Sequence, residues 1–367
     1  MIAIICHRPY QIFNAINYIM NVNHEMADIY ISDEFASASN IADDLRSLGL
    51  FRTVYLVKGT IYTRGRARNA LNYLKDITFP NRVMNRYLTV NKEIKLGQYT
   101  TIIIFGFILF NLAMIHERRR IDALFKVILI EDGLEVYVKR TLKTSFPKRS
   151  SLLLRILGLG INWLKIDEIY AYKPYLIKND YCNNIKQLPP LAMGDKTQVI
   201  LEQLFQKHHY PYTNFDIIFL SQLHSKVEEK AYKLFTQYFC ENKICVKLHP
   251  TDKNTHKRYK NTLADHNLWE LTVLERNFNE KILVSLNSSA LFTPKFIYNK
   301  ELIVVLLYKL AENYNSGDSA NPTLSLFDKL KDSYTDKDRI FQPETWGELE
   351  QIIIRLKLQK DGVNSNE

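Results

Sequence analysis

No stretch of this chain stays apolar for the roughly 20 residues that a bilayer-spanning helix needs. The most apolar segment, Ile102 to Ile115, is interrupted by Gly106 and Asn111, and it reads as a buried strand running into a helix. Cysteine is scarce. Of Cys6, Cys182, Cys240 and Cys245, none forms a C-x-x-C pair, and Cys240 with Cys245 has no second pair at zinc-finger spacing. Two of the four fall in strand-like apolar runs, where a thiol acts as a small hydrophobe. Glycine (12) and proline (11) are too few for a collagen-like or disordered chain, and no solenoid period repeats. The opening Met-Ile-Ala-Ile-Ile-Cys lacks the basic region and small-residue cleavage site of a secretory leader. The expectation is a reduced, cytoplasmic protein that does not cross a membrane.

What is present is an excess of positive charge: 49 basic against 39 acidic residues, a net charge of +10 and a sequence pI near 9.2. Such a balance favours phosphorylated small molecules, anionic lipid surfaces or nucleic acid. Basic clusters lie at Arg64, Arg66 and Arg68, at Arg118 to Arg120, and at Lys139, Arg140, Lys143 and Lys148. No nucleic-acid module signature accompanies them, so no nucleic-acid partner is expected. They read either as solvated faces or as a peripheral contact with the anionic inner face of a cell membrane. The Leu-rich run with Trp163 in Ser150 to Lys165 suits an interfacial helix or a buried core helix equally.

A chain of 367 residues exceeds one ordinary core, and the pattern divides it. Short apolar runs at 2–6, 28–32, 53–57, 100–105, 127–130 and 168–172 alternate with helical stretches such as 9–20 and 36–48. Continuous apolar strands between helices predict a mostly parallel sheet covered on both faces. Polar residues with Pro189 and Pro190 then suggest a connection, after which strands at 217–220, 244–248, 282–285 and 302–307 resume the alternation. The expected division is a first domain over 1–175, a linker over 176–196, a second domain over 197–344, and a helix with a frayed tail over 345–367. Both domains are expected to be α/β and doubly wound.

Ligands of doubly wound sheets bind outside the carboxyl ends of the strands, which selects four places. Cys6-His7-Arg8-Pro9-Tyr10-Gln11 follows the first strand, where Gln11 could hold an anion or a sugar hydroxyl. Glu131-Asp132-Gly133 ends another; adjacent carboxylates raise each other's pKa, as a general base near neutrality requires, and Gly133 permits a tight turn. Lys247-Leu248-His249-Pro250 ends a third, with His249 held by Pro250 where it could serve a departing phosphate. Asn287-Ser288-Ser289-Ala290 follows a fourth, with hydroxyls and free backbone N–H groups at a helix start. Each has an ordinary structural use too: strand-to-helix turns, an acidic cap, a strand end, an N-cap.

Taken together, Cys6 with Pro9-Tyr10-Gln11, Glu131-Asp132-Gly133 with Tyr137, Lys247 with His249-Pro250, and Ser288-Ser289 resemble the bacterial lipooligosaccharide sialyltransferases of glycosyltransferase family 52. More distantly they resemble other bacterial sialyl- and polysialyltransferases. The resemblance implies a GT-B fold, two Rossmann-like domains facing a central cleft. It also implies inverting transfer of sialic acid from CMP-sialic acid to a galactose-type hydroxyl of a surface glycan, free or lipid-linked, without metal or other cofactor. His249 would then lie against the CMP phosphate, with Lys247, Pro250, Ser288 and Ser289 nearby. The base would be Asp132 or Glu131, or else a second-domain carboxylate, Glu228 or Glu229. A homodimer is compatible with this. The alternatives are the same fold with another nucleotide-sugar donor, such as a hexosyl donor, and a basic nucleotide- or RNA-binding regulator.

Overall fold

A computed structural model describes residues 1–59, 80–138, 165–177, 182–192, 194–205, 212–221, 226–248, 259–263, 268–274, 276–311 and 322–364. They fall into two compact units, Met1–Phe205 and Gln206–Glu367.

In the first unit, seven strands form one parallel sheet: β1 (Ile2–Cys6), β2 (Ala27–Ser32), β3 (Thr53–Val57), β4 (Thr101–Ile104), β5 (Lys126–Ile130), β6 (Glu168–Ala171) and β7 (Ile185–Gln187). Their order is β3-β2-β1-β4-β5-β6-β7. Strands such as Ile2–Cys6 are buried at every position, which is why they read as unbroken apolar runs rather than alternating ones. The helices are α1 (Pro9–Asn21), α2 (Ala38–Leu48), α3 (Pro80–Val90), α4 (Leu109–Ile121), α5 (Glu135–Val138) and α6 (Lys196–Phe205). Pro9 opens α1 in the first turn, where its missing N–H costs nothing, and Gly49 ends α2 at a φ of 63°.

The second unit repeats the plan with β8 (Ile217–Leu220), β9 (Ile244–Lys247), β10 (Thr262–Leu263), β11 (Ile282–Ser285), β12 (Ile303–Leu306) and β13 (Ile340–Phe341), again all parallel. The order is β10-β9-β8-β11-β12-β13. Its helices are α7 (Lys226–Tyr238), α8 (Trp269–Thr272), α9 (Thr293–Tyr298), α10 (Pro322–Ser333) and α11 (Trp346–Asn364). Phe219, Phe235, Val246, Val284, Val305, Leu349 and Ile353 form the core between the sheet and two of these helices, α7 and α11.

Both sheets reverse their winding beside the first strand of the unit, between β1 and β4 and between β8 and β11. Such switch points leave a crevice at the carboxyl ends of the strands.

The boundaries differ from those expected. The polar stretch expected to link the domains contains β7, which pairs in parallel with β6 as an edge of the first sheet. Helix α6, expected to open the second domain, belongs to the first unit, because Asn21 Nδ2 on α1 donates to Thr197 Oγ1 at 3.2 Å and Asn17 Nδ2 to Pro189 O at 2.9 Å. The closing helix, expected over 345–358, runs from Trp346 to Asn364.

The basic run Arg118–Arg120 is mostly internal. Arg118 is 4% exposed, donates to Tyr99 O and pairs with Asp122 at 2.9 Å. Arg119 reaches Lys165 O at 2.9 Å and lies 4.8 Å over the Phe125 ring, so only Arg120 of the three is a solvent-facing cation. The other two basic clusters, and all of Ser150 to Lys165 except its last residue, lie outside the described residues. Among the described residues no helix is long and apolar enough to cross a membrane.

Candidate active site

The first unit gathers polar groups at the carboxyl ends of β1 and β5. After β1, the His7 N–H donates to Gln11 Oε1 at 2.6 Å, which orients the amide of this buried side chain. Gln11 Nε2 then donates to Asp132 Oδ2 at 2.7 Å. Arg8 Nη1 stands 4.0 Å from the same oxygen on a side chain that is 70% exposed. Gly133 follows at a φ of 69°, a left-handed conformation that turns the chain sharply and leaves Asp132 half-buried just past the carboxyl end of β5. Burial raises the Asp132 carboxyl above its ordinary value, against the opposing effects of Gln11, Arg8 and His7.

Glu131 has the opposite surroundings. It is 3% exposed, and its Oε2 accepts from Tyr137 Oη and, at 2.9 Å, from the Tyr172 N–H; Tyr10 donates as well. Burial nevertheless pushes its pKa up to about 7. Its backbone is tied in too, since Asn14 Nδ2 donates to Glu131 O at 2.9 Å and Tyr172 Oη donates to Asn14 Oδ1 at 2.8 Å. Glu131 is therefore enclosed by protein donors, whereas among the described residues no hydrogen bond engages Asp132 Oδ1.

In the second unit the loop after β11 crosses that sheet's switch point. Ser285 Oγ donates to Leu220 O at 2.6 Å, and the Leu286 N–H donates to Glu228 Oε1 at 3.1 Å. Glu228 is 2% exposed in the first turn of α7, so it anchors this loop. The Ser288 Oγ accepts from the Ala290 N–H at 3.3 Å, an N-cap on the short 3₁₀ turn Ser289–Leu291, not on a full helix. Ser289 is exposed. Lys247 ends β9 half-buried, its Nζ 6.0 Å from the rings of both Tyr212 and Trp269.

The sequence thus singled out Gln11, Glu131, Asp132 and Gly133, which the structure brings together, and Glu228, which from α7 anchors the loop that carries Ser288. Both ends of the Gln11 amide are engaged within the protein, Oε1 by the His7 N–H and Nε2 by Asp132, so it braces Asp132 instead of meeting a ligand. His249 and Pro250 lie outside the described residues. Sequence reading missed Asn14 and Tyr172, which brace Glu131, and Asn111 and Glu34, which flank the His7 ring after β1. Asn14 was detectable as a polar residue on the buried face of an apolar helix, whereas Glu34 sits in a polar turn like many others. Among the described residues no group of three or more His, Cys, Asp and Glu could hold a metal ion.

No family model matches the sequence, and neither does any curated protein. The likeness to solved structures is one of fold. UGT89C1 of Arabidopsis thaliana superposes with a TM-score of 0.50 at 10% identity, over 98% of this chain and 93% of that one. Its complex with quercetin gives 0.48 at 9% identity, over 97% and 89%. A UDP-glucose: anthocyanidin 3-O-glucosyltransferase in complex with UDP gives 0.43 at 8% identity, over 97% and 93%. The chain has the two Rossmann-like, parallel-sheet domains of the GT-B fold.

Proposed function

We propose that this chain is a glycosyltransferase that moves a sugar from a nucleotide-sugar donor to an acceptor hydroxyl, with Asp132 as the general base. The observation that carries the reading is the asymmetry of the acidic pair. Glu131 is enclosed by donors, while Asp132, just past the carboxyl end of β5, has one oxygen held by Gln11 and the other without a hydrogen bond among the described residues. Burial lifts its pKa, so that it can take a proton at a pH where an ordinary aspartate is a weak base. In a single inverting displacement the acceptor hydroxyl gives its proton to Asp132 and its oxygen attacks the anomeric carbon. The nucleotide leaves with the bonding pair on phosphate oxygen. Lys247, His249 and the Ser289 hydroxyl, at or just beyond strand ends in the second unit, are the candidates to meet that charge. Glu228, anchoring Leu286, is better suited to shaping the loop than to proton transfer.

For the donor, the resemblance in sequence supports sialic acid carried on CMP, transferred by a family 52 enzyme. Hexosyl transfer on the same fold is the second reading, and the fold likeness favours it. One fold serves many donors, so the test is chemical. Hydrolysis and transfer measured across CMP-sialic acid, UDP-glucose, UDP-galactose and UDP-N-acetylglucosamine should show turnover with one donor class. Absence of turnover with every nucleotide sugar would overturn the enzyme reading.

A further inference from the structure

A second carboxylate follows a strand of the same sheet, on the side of the carboxyl ends where Asp132 lies, and takes no part in the chemistry above. Glu34 follows β2, the strand beside β1, and faces His7. His7 is 3% exposed, and its Nε2 lies 3.0 Å from Asn111 Oδ1. Asn111 Nδ2 donates to Gly106 O at 2.8 Å, which turns Oδ1 toward the ring, so the Nε2 of His7 carries the hydrogen. Nδ1 is left 3.4 Å from Glu34 Oε2, at ion-pair separation and without a well-formed hydrogen bond. Ser32 Oγ, also buried, lies beside this carboxylate and likewise makes no well-formed hydrogen bond. Two enclosed polar atoms therefore converge on a carboxylate whose side chain stays 34% exposed.

His7 and Arg8 act on both acids, yet the two respond differently. Contact with His7 holds the Glu34 carboxyl below the usual range, whereas burial raises that of Asp132. One group is set to take a proton and the other to remain an anion. An ionised carboxylate only accepts hydrogen bonds, and its two oxygens match the two O–H donors of a vicinal diol.

We propose that Glu34 binds the acceptor sugar through two neighbouring hydroxyls while Asp132 deprotonates another. This rests on the reading of Asp132 as the base, and it commits the acceptor to a neutral sugar with a free vicinal diol. An acceptor carrying a phosphate or carboxylate at that point would be repelled.

The test uses the full chain and p-nitrophenyl β-galactoside and β-glucoside, with their mono-deoxy derivatives, in saturation-transfer NMR titrations. Wild type should bind at least one parent glycoside, and removal of one diol hydroxyl should weaken it. Glu34→Gln should weaken binding about tenfold or more, with Glu34→Asp in between. In transfer assays the acceptor KM should rise while kcat and donor KM stay within about threefold. Melting curves show that each variant is folded, and Glu34→Asp keeps the question open to measurement if the glutamine variant is not. Glu34→Gln binding like wild type would overturn the proposal, as would binding of neither glycoside to wild type. Asp132→Asn separates the two ideas: if it transfers normally while Glu34→Gln loses affinity, the base is misassigned but the acceptor site stands.

Discussion

Glu131 and Asp132 are neighbours in sequence with opposite surroundings, and substitutions should separate them. Asp132→Asn keeps the contact with Gln11 but cannot take a proton, so transfer should fall roughly 100- to 10,000-fold. Glu131→Gln can still accept from Tyr137 and the Tyr172 N–H, so steady-state transfer should stay within about tenfold of wild type. Its signature is in stability. The native pKa of Glu131, about 7, lies above the ordinary 4.5, so the folded state binds that proton more tightly than the unfolded chain does. The stabilisation is complete below about 4.5 and is lost as pH rises to about 7. Melting temperature should fall across that window more steeply in wild type than in Glu131→Gln. Gln11→Leu should move the acidic limb of the transfer profile to higher pH, because Gln11 is the first of the groups that favour the Asp132 carboxylate.

At the scale of elements, two turns set the geometry. The loop from β5 depends on Gly133 at a φ of 69°, where an added Cβ would meet nothing within 4 Å. Gly133→Ala should therefore cost only backbone strain, about 1 kcal/mol by urea denaturation, and Gly133→Asn less. Transfer should drop further than stability, since the turn aims Asp132. The loop from β11 depends on Glu228. Glu228→Ala strands the Leu286 N–H and should cost about 1–3 kcal/mol, while Glu228→Gln, which can still accept, should be active. A dead but folded Glu228→Gln would return the base to the second unit. The glycine turn was legible in Glu-Asp-Gly because only a residue without Cβ adopts that φ freely. The anchor was not legible, because nothing in Lys-Val-Glu-Glu says which of two glutamates turns inward.

For the whole molecule, the net charge of +10 overstates the free positive surface, since Arg118 and Arg119 hold carbonyls and carboxylates inside the first unit. Arg118→Ala and Arg119→Ala should lower the melting temperature and leave co-sedimentation with phosphatidylserine vesicles unchanged. A large loss of vesicle binding in either would restore this run as a membrane contact. Any binding that does occur should weaken steeply with salt.

The sequence by itself determined the two-sheet α/β plan. Strands such as Ile-Ala-Ile-Ile-Cys and Ile-Ile-Phe-Leu are buried on both faces, and that demand writes an uninterrupted apolar run. It also marked the strand ends where polar groups gather. It could not mark β7, whose Ile-Lys-Gln gains its place from backbone pairing with β6, nor assign α6 to the first unit through side chains on α1. Tertiary structure alone decided the roles within the site. Whether a carboxylate is enclosed like Glu131, braced like Asp132 or held as an anion like Glu34 depends on donors and cations such as Tyr137, Gln11 and His7. Those partners come from other turns or elements of the fold, and burial acts on a side chain only once that fold has closed around it.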